Sequence, residues 1–383
     1  MKGKKWMGVG CMLAAMAIGL SSVSAADKVD TDPKQQLPKP DIKPADMTKP
    51  VKVFILLGQS NMLGMGKIAG GEGSLENAVK NKNKYPYLVD DAGNWSERKD
   101  VRNVRVMVGK GGMQVFNNEW MNIKGTKTIG PEFGIGHVVG NAIDAPVMIL
   151  KSCIGNRSLG WDLLPPGSEP YEFEGKMIPG YRGTPADPKG NGQKPEGVWY
   201  AGKQYDDDTA DAKKVLGELG TYYPGATKHE VAGFFFWQGE KDCGSAENSA
   251  RYEKNLVQFI KQLRMDFDAP DAKFVLATLG EATKGSGGNG GKVLEAQLAV
   301  DGKDGKYPEF KGNVATVYSN PLSMGGSGNG HYGGNAETYM NVGEAMGKVM
   351  ADLLKDQPAG AKGKTPQAGG TPAKRVLSPR RTR

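Results

Sequence analysis

Histidine and cysteine are scarce, with three of each in 383 residues. There is no C-x-x-C pair, so a zinc site and a thioredoxin-like redox motif both lack support. Acid is missing from both ends. Residues 1–25 carry Lys2, Lys4 and Lys5 without Asp or Glu, and residues 358–383 carry Lys362, Lys364, Lys374, Arg375, Arg380, Arg381 and Arg383, again without acid. The formal net charge of +8 therefore belongs to the ends, and the stretch between them stands at −2. That balance excludes an enzyme with a basic nucleic-acid groove through its core. Gly and Pro together make up 79 of 383 residues, about 21%, below the roughly 25–30% that marks disorder. Gly alone is twice its usual share of ~7%, which predicts many long loops.

The N-terminus reads as a cleavable secretory signal over 1–25, with a basic start, an apolar run from Met12 to Leu20 and a small-x-small end at Val23-Ser24-Ala25. The run is too short to span a bilayer. Cys11 precedes that run and follows Gly8-Val9-Gly10, which argues against a lipoprotein. Export, periplasmic or extracellular, permits a disulfide between Cys153 and Cys243; two separate buried thiols are the alternative. Residues 26–49 are a polar, Pro-rich linker and 50–356 the folded domain. Residues 357–383 form a basic disordered tail, either merely solvated or in loose contact with an anionic envelope or polysaccharide.

Between the ends, short apolar runs alternate with helical patterns. VKVFILL at 51–57 suits a strand buried on both faces, and similar runs follow at 146–150, 231–237, 273–279 and 313–318. Residues 247–264 repeat apolar side chains at spacings of three and four, as do 336–354, with Asn335 at the N-cap. Strands alternating with helices imply a parallel sheet with both faces covered. Ligands on such sheets bind beyond the carboxyl ends of the strands.

The residues after the strands carry the chemistry. Gly58-Gln59-Ser60-Asn61-Met62 follows the first strand, and a Ser there is placed to be a nucleophile, or else to cap a helix. Gly64-x-Gly66-x-x-Ala69 begins too far from that strand to be a dinucleotide loop. Lys151-Ser152-Cys153-Ile154-Gly155 and then Trp161-Asp162 follow the second, and Trp237-Gln238-Gly239-Glu240-Lys241-Asp242 ends the third. His229 lies at the wrong end of the sheet and His137 in a helical stretch, which leaves His331 as the base a serine hydrolase needs.

GQSNM at 58–62, GPEFG at 130–134, the K-x3-G-x2-SL segment with its following WD at 151–162, WQGEKD at 237–242 and the late His331 occur in the order found in the SGNH-hydrolase superfamily. Together they resemble its carbohydrate-esterase branch, the sialate O-acetylesterase-like and acetylxylan-esterase-like proteins. The resemblance implies a three-layer α/β/α sandwich with a five-stranded parallel sheet, flavodoxin-like, and hydrolysis of acetyl esters on sugars without metal or organic cofactor. It implies Ser60 as nucleophile and His331 as base. The N–H groups of Ser60 and Gly155, with the Gln238 side chain, would form the oxyanion hole, and Gln59, Asn61 and Trp161 would contact substrate.

Many relatives carry Asp three residues before the His, where this chain has Gly328. Either another carboxylate serves, with Glu240, Asp242 and Glu337 as candidates, or Ser60 and His331 act as a dyad. The insertion at 164–205, with Tyr171, Phe173, Tyr181, Trp199, Tyr200 and Tyr205, is either a sugar-binding wall or packs on itself. A glycan-binding envelope protein without turnover and a lipid or thioester hydrolase are the alternative functions. Because the basic tail lies outside every motif, deleting 358–383 is expected to leave acetyl-ester hydrolysis unchanged in a p-nitrophenyl acetate assay; loss of activity on deletion would tie the tail to the chemistry.

Overall fold

A computed structural model describes residues 36–355. Seven strands form the central sheet: β1 (Val51–Gly58), β2 (Arg98–Gly109), β3 (Gly112–Met121), β4 (Val147–Ser152), β5 (His229–Trp237), β6 (Lys273–Ala277) and β7 (Val314–Val317). Their order is β7-β6-β5-β1-β4-β2-β3. All five apolar runs became strands, and these lie side by side and parallel.

The expected five-stranded, wholly parallel sheet is corrected at one edge. There β2 pairs with β4 in parallel, and β3 turns back antiparallel to β2. The sequence hid this hairpin because it is not a continuous apolar run. Val101, Val104 and Val106 are buried, but Arg98 and Arg102 are buried among them, held by Asp100 and by the Tyr222 carbonyl, and break the apolar run.

Helices cover both faces. Side chains along β1 alternate between two cores, as the two-residue period of a strand requires. Val51, Val53, Ile55 and Leu57 face one core. Phe54 and Leu56 face the other. The first core packs against helix Lys203–Gly217, helix Ala246–Asp266 and helix Gly288–Ala299. The second packs against helix Glu132–Ala142 and the last helix, Ala336–Lys355. Asn335 caps that last helix as expected, its Oδ1 accepting from the N–H of Glu337 at 2.9 Å. The described end of the linker, 36–49, has no helix or strand; Leu37 rests against the second core, and Lys49 bonds the Asp144 carbonyl at 2.9 Å. The signal segment and the basic tail lie outside the described residues. No described helix is long and apolar enough to cross a membrane.

Helices Glu132–Ala142 and Ala336–Lys355 cross at glycine. A Cβ on Gly343 would lie 2.3 Å from the Pro131 carbonyl oxygen, a backbone atom that cannot swing aside. Gly217, exposed at the end of its helix, has nothing within 4 Å of such a Cβ. We expect Gly343→Ala to destabilise by roughly 1–3 kcal/mol through overpacking. Gly217→Ala should leave stability equal or slightly higher. Thermal melts of the two variants check the contrast.

Candidate active site

The segments singled out in the sequence meet at the carboxyl edge of the sheet. Beyond β1 the chain turns into a single helical turn, Ser60–Leu63, with Ser60 first. The turn depends on Gly58, whose φ is +149° and where a Cβ would strike the Trp237 carbonyl at 2.3 Å. As the first residue of a helix, Ser60 has an N–H with no acceptor inside that helix. The loop after β4 brings Gly155 alongside: a Cβ there would lie 3.6 Å from Ser60 Cβ. The Gly155 N–H donates to no described protein atom.

The amides flanking Ser60 do not face a cleft, contrary to expectation. Gln59 is 3% and Asn61 0% exposed. Both donate to one buried carboxylate, Gln59 Nε2 to Glu240 Oε2 at 2.5 Å and Asn61 Nδ2 to Glu240 Oε1 at 2.6 Å. They are therefore clamps on the Ser60 segment, with their amide groups turned to Glu240. Burial pushes Glu240 up to about 7, with the charge of Glu281 adding to the effect and the two amide donors opposing it.

Gln238 is corrected in the same way. Its amide nitrogen donates to the Arg157 carbonyl at 2.8 Å and to Asp242 Oδ2 at 2.6 Å, and Tyr252 donates to its Oε1. Both amide hydrogens are spent, so the side chain has nothing to offer an oxyanion.

The remaining acid candidates are also committed elsewhere. Asp242 accepts from the N–H groups of Leu159 and Gly160, at 2.9 and 2.8 Å, and so shapes the loop beside Gly155; burial raises it to about 6 against those bonds. Glu337 is buried between Lys82 and Lys84. Burial alone would raise it, but the two ammonium groups hold it below its ordinary value. None of the three bonds His331.

His331 follows β7 in a turn with φ of +54°. Its backbone N–H donates to the Gly328 carbonyl at 3.0 Å, which also accepts from Asn61 Nδ2 at 3.1 Å. Tyr339 donates to Asn61 Oδ1 at 3.1 Å and lies 3.4 Å from the His331 carbonyl oxygen. The histidine turn is thus tied to the Ser60–Leu63 turn through Asn61. No hydrogen bond joins the imidazole to Ser60 or to any described carboxylate. Of the other histidines, His137 is buried against Tyr87 and His229 opens β5 at the opposite edge.

Two motifs prove to be supports. Glu132 of GPEFG and Lys151 form a buried ion pair at 2.6 Å, and Lys151 also donates to the Leu63 carbonyl, which pins the end of the Ser60–Leu63 turn. Asp162 accepts from the N–H of Ser158 at 2.8 Å and from Trp199 Nε1 at 2.8 Å. Trp161 is half-buried with no side-chain hydrogen bond, so it is free to meet a ligand. Tyr171, Tyr200 and Tyr205 of the insertion turn inward, bonding the Glu247 carbonyl, Asp206 and Asp266. Trp199 is 37% exposed and stacks under Arg157 at 4.3 Å. Cys153 and Cys243 are unpaired. Among the described residues no group of His, Cys, Asp and Glu is arranged to hold a metal.

Residues 191–352 match the family described as carbohydrate esterase, sialic acid-specific acetylesterase. The matched range contains Gln238, Glu240 and His331, whereas Ser60 and Gly155 precede it. The resemblance read from the motifs is thereby borne out. An acetylated carbohydrate substrate is consistent with this family. No curated protein matches the chain. Among solved structures, a protein from Arabidopsis thaliana is 17% identical, with a TM-score of 0.46, covering 80% of this chain and 99% of its own. A carbohydrate acetylesterase from Xanthomonas citri is 11% identical, with a TM-score of 0.48, over 80% of this chain and 57% of its own. NanS is 13% identical, with a TM-score of 0.34, over 64% and 70%.

Glu240 generates a pH prediction. Its folded value of about 7 exceeds its ordinary 4.5, so the folded state favours the protonated carboxyl. The resulting stabilisation is complete below the ordinary value and is lost as pH rises through 7. Glu240→Gln removes this contribution and should flatten the fall in melting temperature between about pH 5 and 8. Identical slopes in wild type and variant would show that Glu240 does not titrate in that range.

Proposed function

We propose that the protein is an exported carbohydrate O-acetylesterase with Ser60 as nucleophile and His331 as general base. The observation that carries this reading is the pairing of Ser60 with Gly155. Two backbone N–H groups without acceptors flank one hydroxyl at the end of a buried strand, the arrangement an acyl oxyanion requires.

The chemistry then follows. Ser60 Oγ attacks the acetyl carbonyl carbon, and His331 takes the hydroxyl proton. The carbonyl oxygen gains negative charge and accepts from the N–H groups of Ser60 and Gly155. As the tetrahedral intermediate collapses, the sugar oxygen leaves and receives the proton from His331. Water gives a proton to His331, attacks the acetyl-Ser60 ester, and the second collapse releases acetate and restores the serine. No hydrogen bond joins the imidazole to Ser60 Oγ in this structure, and catalytic hydrogen bonds of enzymes without ligand are often looser. Trp161 and the open face of Trp199 are the aromatic surfaces against which a sugar ring would lie. Residues 1–25 would direct export, and the basic tail would hold the enzyme near an anionic surface.

The missing hydrogen bond between Ser60 and His331 favours, as a second reading, a glycan-binding protein without turnover. Acetate release from acetylated xylan and from p-nitrophenyl acetate separates the two. Ser60→Ala and His331→Ala should each lower kcat by about three or more orders of magnitude with the fold retained. Equal rates in wild type and Ser60→Ala would overturn the esterase reading.

A further inference from the structure

Gly328 occupies the place where the resembled esterases carry their acid, three residues before the histidine. Its φ is not positive, so nothing in the backbone calls for glycine there. What excludes a side chain is occupied space. A Cβ on residue 328 would lie 2.3 Å from Glu281 Oε2 and 2.8 Å from Glu240 Oε1. Two carboxylates from the ends of neighbouring strands, β6 and β5, already stand where the side chain would emerge.

The two are not equivalent. Glu240 is buried, and both of its oxygens are taken by Gln59 and Asn61. Glu281 is exposed. Its Oε2 accepts from the Gly328 N–H at 2.6 Å, and its other oxygen accepts from no described group. The Gly328 carbonyl in turn accepts from the His331 N–H. One peptide unit on either side of Gly328 therefore separates the Glu281 carboxylate from the histidine turn. We propose that Glu281 supplies the carboxylate that position 328 lacks, acting as a positioning residue on His331 through the Gly328 turn. The acid has moved from the histidine loop to the end of β6, and glycine at 328 is the space it needs.

The proposal rests on the esterase reading, and a compensation experiment keeps the two apart. In p-nitrophenyl acetate hydrolysis, Glu281→Ala and Glu281→Gln should each lower kcat roughly 10- to 100-fold, as loss of an orienting partner does, with KM little changed. Gly328→Asp alone should also be impaired, because its side chain meets Glu281. In the double variant Glu281→Ala/Gly328→Asp, of the two carboxylate contacts only the 2.8 Å one with Glu240 Oε1 is left, so it should recover part of the kcat lost in Glu281→Ala, whereas Glu281→Ala/Gly328→Asn should not, since Asn restores the shape without the charge. Melting curves confirm that each variant is folded. Full activity in Glu281→Ala, or equal rescue by Asn and Asp, would overturn the proposal while leaving a Ser60-dependent esterase intact. Wild-type turnover indifferent to Ser60→Ala would overturn the esterase reading and this proposal with it.

Discussion

The reactive edge of this protein is organised around one buried carboxylate. Glu240 bonds the amides on either side of Ser60, so strand β1 and the segment after β5 share a single anchor. Asn61 passes that anchorage on, since its amide also reaches the Gly328 carbonyl and its oxygen accepts from Tyr339. The Ser60 segment, the strand end beside it and the histidine turn are therefore fixed by one chain of hydrogen bonds. In a low-dielectric setting such a chain is strong when fully satisfied and costly when broken.

Neutral donors, not cations, satisfy three buried acids at this edge. Glu240 has Gln59 and Asn61; Asp242 has Gln238 and two peptide N–H groups; Asp208 has Ser152 and Gln204. Burial outweighs such neutral donors and raises the first two carboxyls to about 7 and 6. Lysines partner other buried acids: Lys151 with Glu132 beneath the Ser60–Leu63 turn, Lys203 with Asp207, and Lys82 and Lys84 with Glu337.

Much was legible in the sequence, for identifiable reasons. Strands buried on both faces announce themselves as continuous apolar runs, and all five were visible. Helix Ala336–Lys355 showed its apolar period and its Asn335 cap. The β2–β3 hairpin was hidden because arginines interrupt it at the sheet edge. Helix Gly288–Ala299 was hidden because glycines crowd its first turn. At the site, Ser60, Gly155 and His331 were found because strand ends collect ligand-binding groups. Glu281 was missed, although it too follows an apolar run, because it stands in no recognisable motif.

Residue type and position along the chain determined the alternation of strand and helix, the edge at which the motifs gather, and the family model that residues 191–352 match. They could not determine which polar groups spend their hydrogen bonds on one another. Gln59, Asn61 and Gln238 read as groups facing a substrate, and only the folded chain showed each donating to a carboxylate from a distant segment. Tertiary structure alone also set Glu281 against Gly328. Hydrogen bonds are pairwise and saturable, so the role of a polar side chain is settled by the partner that packing brings to it, and that partner can lie hundreds of residues away.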